Sequence, residues 1–372
     1  MNCLLKKKKS FLVSLQKMIN FLIFLIVLSV LIFVHEFGHF IVAKKTNVPV
    51  EEFAIGFPPR LISKKIGDTV YSLNLILFGG YVKIRGENDP NDPIGFLNQP
   101  SYKKLLITFA GVFFNLLLAY LIFSIGYLYG LPEYYKEAKE VTITQIIQDS
   151  PAEKAGLKIG DKLIYFKPAC RQAGVDNNIY YFEKPEEVKE KIKPYIGKEI
   201  ILGIKRGENS FEVKITPRNT EAPIGIGIAS IGLVKYSFPQ NFYQGLVKTY
   251  DGIKAIIFAF KDFFSRLLKE RKVAKEVVGP LGIYDIYNQM RTLGINYFLH
   301  FIAIISLNLF IINLIPFPGL DGGRLIIYLG EVVSRRKVPY MAEVITNSIG
   351  LILLITLMII ITIKDILVKI KK

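Results

Sequence analysis

Two histidines and a glutamate stand in a stretch where charge is expensive. Val34-His35-Glu36-Phe37-Gly38-His39-Phe40 is an H-E-x-x-H motif. The residues before it, 21–34, read FLIFLIVLSVLIFV and carry no charge. Run and motif together reach about twenty residues, enough to cross a bilayer as a helix. On a helix His35 and His39 share a face one turn apart, the spacing two imidazoles need to grip one metal ion. Glu36 projects about 100° away, free to act on water at such a metal as general base. Ionisable residues at membrane depth cost roughly 2.5–3.5 kcal/mol each on insertion scales and mark function. The bland alternative is a helix end meeting water at the interface. It fits poorly with the apolar Phe37, Phe40, Ile41 and Val42 interleaved there.

Two histidines leave a catalytic zinc one protein ligand short. Cys3 and Cys170 are the only cysteines, which excludes a thiolate zinc site and a disulfide framework. Any metal must use His and carboxylate. Among the apolar runs one place offers a carboxylate at that depth: Asn313-Leu314-Ile315-Pro316-Phe317-Pro318-Gly319-Leu320-Asp321-Gly322-Gly323. Its prolines and glycines break the helix. Non-helical backbone in a membrane is tolerated where protein or a water cavity surrounds it, so Asp321 can approach the histidine pair. The alternative is a helix end with Asp321 as an ordinary cap. His300 competes as a ligand, but its place at the start of the third apolar run suits an interfacial histidine better.

The elements that must carry these residues follow from hydropathy. The chain has 372 residues, 51% of them hydrophobic, and a mean hydropathy of +0.36. That excludes an ordinary soluble protein and leaves room for several membrane helices and one soluble domain. Four apolar runs predict membrane helices at about 19–43, 105–128, 297–314 and 345–363. The net charge of +17 comes from lysines flanking these runs, where they anchor to lipid headgroups; no nucleic-acid motif accompanies them. Residues 1–18 read as a basic, irregular tail. The stretch 69–84 is β-rich, with Gly79-Gly80 predicted to break it into a hairpin. Gly111 and Asn115, four apart, suit close helix packing.

Residues 131–218 form a soluble insert. Strands are predicted at 141–147, 200–204 and 211–215, and a helix at 185–195. Ser150, Pro151 and Glu153 make a capping box. The stretch SPAEKAGLKIGDKLI closely resembles the PDZ signature, with 168–182 an extra loop that could obstruct a ligand groove. Residues 219–296 form a linker whose part from 236 to 268 is amphipathic, lying on the membrane or folding as a shallow hairpin.

Taken together the chain resembles the site-2 protease family of intramembrane zinc metalloproteases, in its bacterial RseP-type branch with a single PDZ domain. The likeness rests on H-E-F-G-H at 35–39, F-G-G-Y-V-K at 78–83, Gly111 and Asn115, V-G-P-L-G-I at 278–283 and N-x-x-P-x-P-x-L-D-G at 313–322, in the family's order. It implies a membrane α-helical fold of about four transmembrane helices, its core at 19–130 and 297–372, with an inserted extracytoplasmic PDZ α/β domain. It implies Asp321 as third ligand of one Zn2+, Glu36 as catalytic base, Asn313 on the substrate carbonyl, and Gly79 and Gly80 in a membrane-dipping β-loop that guides substrate. It implies a multi-pass protein of the bacterial inner membrane, lipid around it. The substrates would be single-pass membrane proteins already trimmed by a site-1-type protease, such as anti-sigma factors or signal-peptide remnants. Family topology puts both termini outside; Lys and Arg number nine on the two tails and thirteen on the intervening loops 44–104 and 324–337, which weakly favours those loops inside. A non-catalytic PDZ-bearing scaffold is the rival, and it has no use for Glu36. A metal transporter would need repeated intramembrane carboxylates, which the chain lacks.

Overall fold

The computed structural model describes residues 2–134, 140–147, 149–169, 178–220, 222–270 and 279–370. Its elements in chain order are α1 (Asn2–Lys45), β1 (Val50–Ile66), β2 (Thr69–Ile84), α2 (Ser101–Tyr129), β3 (Leu131–Tyr134), β4 (Val141–Ile146), α3 (Pro151–Lys154), β5 (Lys162–Pro168), β6 (Tyr180–Tyr181), α4 (Pro185–Ile192), β7 (Ile200–Arg206), β8 (Asn209–Ile215), β9 (Ile226–Val234), α5 (Gln240–Glu270), α6 (Pro280–Thr292), α7 (Ile295–Leu314), α8 (Asp321–Ser334) and α9 (Tyr340–Ile370). Among the described residues four helical stretches are long and apolar enough to cross a membrane: Ser14–Lys45, Ser101–Tyr129, Ile295–Leu314 and Tyr340–Leu367. They match the four apolar runs of the sequence. The basic N-terminal stretch differs from expectation, because α1 is already helical from Asn2. Residues 2–18 contain neither Gly nor Pro, so nothing in them stops the helix.

The chain divides into two compact units. One holds Met1–Ile122, Gly245–Tyr284 and Ile302–Lys372, the other Phe123–Gln244 and Asp285–Phe301. In the first, β1 and β2 pair antiparallel. The expected hairpin tip at Gly79-Gly80 is not there: the turn lies at Gly67-Asp68, between the paired Ile66 and Thr69. Gly79 instead takes φ +96°, a left-handed conformation that glycine adopts without strain. The bend sends residues 80–84 back along the other side of β1. Phe53 therefore pairs with both Tyr71 and Val82, and Ala54 with both Ser72 and Tyr81. The returning segment is fastened to α1 by Ser29, whose Oγ donates to the Leu77 carbonyl at 2.5 Å and accepts from the Gly79 N–H at 3.1 Å. Phe57, Leu61, Ile62, Leu75, Ile76 and Leu77 remain exposed on this hairpin.

The second unit is a β-rich domain. Its sheet runs β3-β9-β4-β5-β7-β8, with β6 beside β5, and all its pairings are antiparallel. Ile143, Phe166, Ile200, Leu202 and Ile204 form the fully buried centre of its core. Ser150 caps α3 by accepting from the Glu153 N–H at 3.2 Å, while Glu153 reaches back to the Asp149 N–H at 2.8 Å. Strand β9 lies beyond residue 218, within the stretch the sequence reading assigns to the linker. Its isoleucines at 226 and 228 alternate with Gly227 and Ala229, a period of two that suits a strand. The amphipathic stretch after it is a single helix, α5, not a hairpin.

Helix α8 is tied down by a buried ion pair. Lys104 Nζ lies 2.6 Å from Glu331 Oε2, with both side chains almost wholly enclosed. The Ser101 hydroxyl donates to the same oxygen at 2.8 Å and the Val338 N–H to Oε1 at 3.0 Å. Burial works to raise the Glu331 carboxyl; Lys104, the Val338 N–H and Ser101 overcome it and hold the group below the usual carboxylate range. A depressed carboxyl contributes stability that is present above its unfolded value, about 4.3, and is lost as pH falls through its folded value. Glu331→Gln, which strands the Lys104 charge, should destabilise the detergent-solubilised protein by about 3–5 kcal/mol in thermal unfolding. The pair Lys104→Met with Glu331→Leu should recover most of that loss, and both should lessen the dependence of stability on acid.

Candidate metal centre

The site begins with two helices that nearly touch. A Cβ on Gly38 of α1 would lie against the Ala110 carbonyl of α2, and one on Gly111 would overlap the His39 ring. Both positions need glycine for this approach. The His39 imidazole fills the space over Gly111, and its Nδ1 donates to the Ile107 carbonyl at 2.8 Å. His35, one turn earlier, has Nδ1 at 3.2 Å from the Asn115 side-chain amide. The two Nε2 atoms come to 3.2 Å of each other, with the rings perpendicular at 89°.

Asp321 arrives from the far end of the chain. Pro316 and Pro318 stop α7 at Leu314, because a proline ring cannot continue the helix. The connection folds tightly: the Phe317 N–H donates to the Ile315 carbonyl at 2.7 Å and the Gly323 N–H to the Leu320 carbonyl at 3.1 Å. Helix α9 backs this loop, with Asn347 Oδ1 accepting from the Gly319 N–H at 3.3 Å. Leu320 occupies the cap position of α8 and no side chain bonds there, so Asp321 is not spent as a cap. Its Oδ2 lies 3.1 Å from His35 Nε2 and 3.3 Å from His39 Nε2.

Among the described residues His35, His39 and Asp321 are the one group of three that could hold a metal ion, their ligand atoms all within 4.8 Å of one another. The buried Asp321 Oδ2 makes no well-aligned hydrogen bond, although both ring nitrogens lie close to it. Two imidazoles and one carboxylate are a donor set that zinc takes in catalytic sites, leaving one position open. The residues present therefore fit zinc. Glu36 stands beside the group and accepts from the Val82 N–H at 3.2 Å through Oε2. A cavity of ≈ 190 Å³ has His35, Glu36, His39, Asp321, Thr108 and Arg324 on its walls. That is ample for water, which needs about 10–15 Å³ and polar partners. Arg324 is held by Glu87 at 2.7 Å.

The structure does not bring every expected residue to this cavity. Asn313 sits half-buried at the end of α7, off its walls. Gly79 is fastened to Ser29, and the bare Cα of Gly80 faces the Ala54 carbonyl; neither lines the cavity. His300 packs its ring at 5.7 Å from Phe123 and does not join the group. Conversely, sequence reasoning missed what α2 and β2 do here. The spacing of Gly111 and Asn115 was readable as helix packing, but their contacts with the two imidazoles depend on how α1 and α2 are rotated. The Val82 N–H leaves no mark in a sequence.

The sequence model of peptidase family M50 matches residues 23–357. A Clostridium perfringens protein with a provisional zinc metalloprotease name is 33% identical over 344 residues, covering 92% of this chain and 97% of that one. A Clostridium acetobutylicum protein with the same kind of name is 33% identical over 350 residues, covering 93% and 97%. The zinc metalloprotease RasP of Oceanobacillus iheyensis is 28% identical over 435 residues, covering 92% and 97%.

The geometry gives a test that does not depend on activity. Purified protein should carry one zinc per chain, measured by elemental analysis. His35→Ala, His39→Ala and Asp321→Ala should each lower that content steeply. Gly111→Val should do the same with all three ligands in the sequence, because its side chain takes the volume of the His39 ring. Full zinc content in Gly111→Val would show that the ring does not need that seat.

Proposed function

The chain belongs to peptidase family M50, and from that premise we propose that this zinc metalloprotease cleaves peptide bonds inside the bilayer. The observation that carries the reading is the convergence of His35, His39 and Asp321 beside Glu36, with the histidines and the glutamate on a helix apolar enough to span a membrane. Zinc held by these three side chains supplies Lewis acidity at the substrate carbonyl and makes water a competent nucleophile near neutral pH. Glu36 is the general base. Val82 engages one of its oxygens and sets the direction of the carboxylate; the other takes the proton of the attacking water. Glu36 then returns that proton to the leaving amine. The polar cavity admits the water, and the surrounding apolar helices keep bulk solvent out.

Substrates in this reading are membrane segments that unwind before cleavage, in single-pass proteins already trimmed by another protease. The exposed apolar side chains of the β1–β2 hairpin suit a loop that dips into lipid. The segment 80–84 beside Glu36 offers extended backbone as a template, bent into place at Gly79 and Gly80. Asn313 handles the substrate carbonyl as the segment reaches the site. The membrane is the bacterial inner membrane, with the β-rich domain outside.

That domain we read as a single PDZ module with two possible roles. As a bulky filter it turns away untrimmed substrates by size. A second reading, tail capture, is favoured by a groove of ≈ 350 Å³ between α4 and β9, lined by Val188, Ile192, Ile226 and Ile228 and by Pro223-Ile224-Gly225. Residues 170–177, in the loop expected to obstruct such a groove, lie outside the described residues.

Two measurements test these statements. Glu36→Gln should keep its zinc and lose peptide cleavage by about 10²–10⁴-fold; substantial residual turnover would remove Glu36 from the role of base. Val188→Glu, placed in the groove, should leave cleavage of trimmed substrates unchanged if the domain filters by size. A many-fold rise in KM for those substrates, with the protein folded and zinc-loaded, would put tail capture in its place.

A further inference from the structure

Each ring of the histidine pair meets α2 through its Nδ1. His39 finds the Ile107 carbonyl at 2.8 Å. A carbonyl only accepts, so Nδ1 carries the ring proton and Nε2 keeps its lone pair for a metal. His35 has no such carbonyl. It finds the side chain of Asn115, 3.2 Å from its Nδ1.

Asn115 is wholly buried. Its Nδ2 faces the ring, and its Oδ1 has no hydrogen-bond partner. A buried amide with one end unpaired is a costlier filling for a helix seam than a leucine, so packing alone does not account for it. The helix is fixed at this residue from the other side as well, where the Ser306 hydroxyl donates to the Asn115 backbone carbonyl at 2.7 Å.

The two ends of an amide are close in size and exchange by a half-turn. With Nδ2 toward the ring, His35 Nδ1 accepts and the ring proton sits on Nε2. That proton faces His39 Nε2, 3.2 Å away, with Asp321 Oδ2 close by at 3.1 Å, an arrangement suited to a metal-free site. With Oδ1 toward the ring, Nδ1 donates and the Nε2 lone pair faces His39 and Asp321. The direction of the Asn115 amide and the metal competence of His35 are thus one variable.

We propose that Asn115 is a positioning residue for His35: its Oδ1 accepts the Nδ1–H and sets the tautomer in which Nε2 binds metal. The inference rests on the metal reading given under the proposed function. Ligand histidines are commonly oriented by such a partner, and losing it weakens metal binding roughly 10–100-fold.

The test uses the purified full-length protein and zinc alone. Zinc affinity is measured by chelator competition for the parent, Asn115→Leu, Asn115→Asp and His35→Ala. Asn115→Leu should bind roughly 10–100-fold more weakly. Asn115→Asp should stay within a few-fold of the parent, because a carboxylate oxygen accepts the same proton. The metal-free Asn115→Leu protein should unfold at a temperature no lower than the parent, since an unpaired buried amide has been removed. A lower unfolding temperature with zinc affinity intact would mean a merely structural residue and overturn the proposal. With only three histidines in the chain, 15N NMR of the zinc-loaded parent adds a readout that needs no variant. His35 Nδ1 should carry a hydrogen; a bare Nδ1 overturns the proposal. Loss of zinc in His35→Ala with none in Asn115→Leu defeats this inference alone, whereas full affinity in His35→Ala defeats the metal reading and this inference with it.

Discussion

The seam between α1 and α2 is the constraint on which the site depends. At Gly38 and Gly111 there is no room for a Cβ, so the two backbones can approach more closely than larger residues would allow. That closeness puts the Ile107 carbonyl and the Asn115 amide within reach of short imidazole side chains. A wider seam would leave both rings free to rotate about χ2. The rings would then lose the pre-set geometry that lets three side chains share one ion.

Around this seam the molecule solves a solvation problem. Several ionisable groups sit among apolar helices, and each finds a partner nearby. Arg324 has Glu87, Lys104 has Glu331, and Tyr328 donates to Glu343 at 2.6 Å. The last two pairs, and Arg324, hold α8, the helix that begins with Asp321. Pairs of this kind add little net stability relative to apolar packing, but a broken one leaves an uncompensated charge. The placement of Asp321 therefore rests on pairs made about one, two and three turns along α8.

How much of this the sequence disclosed depends on the kind of signal. Long apolar runs located the membrane helices, because lipid demands continuous hydrophobic length. The proline and glycine run before Asp321 located the break in the helix. The glycines at 79 and 80 misled, since a Gly-Gly pair reads as a turn, and only pairing on both sides of β1 reveals a bend in a continuing strand. β9 was lost in the linker because its isoleucines are diluted by small residues. Least legible were contacts made by backbone or by helix rotation, such as Val82 with Glu36 and Asn115 with His35. These need the third dimension before they exist as patterns.

The wide separation of the clustered residues along the chain has a consequence in time. His35 and His39 leave the ribosome early, whereas Asp321 emerges nearly three hundred residues later. At elongation rates of about 5–20 residues per second the interval is on the order of tens of seconds. During that interval the nascent chain already displays its first helix in the bilayer, yet its histidine pair lacks the carboxylate. Biogenesis therefore imposes its own latency: the cluster can close only after α7 has been inserted and the loop behind it has folded against α9.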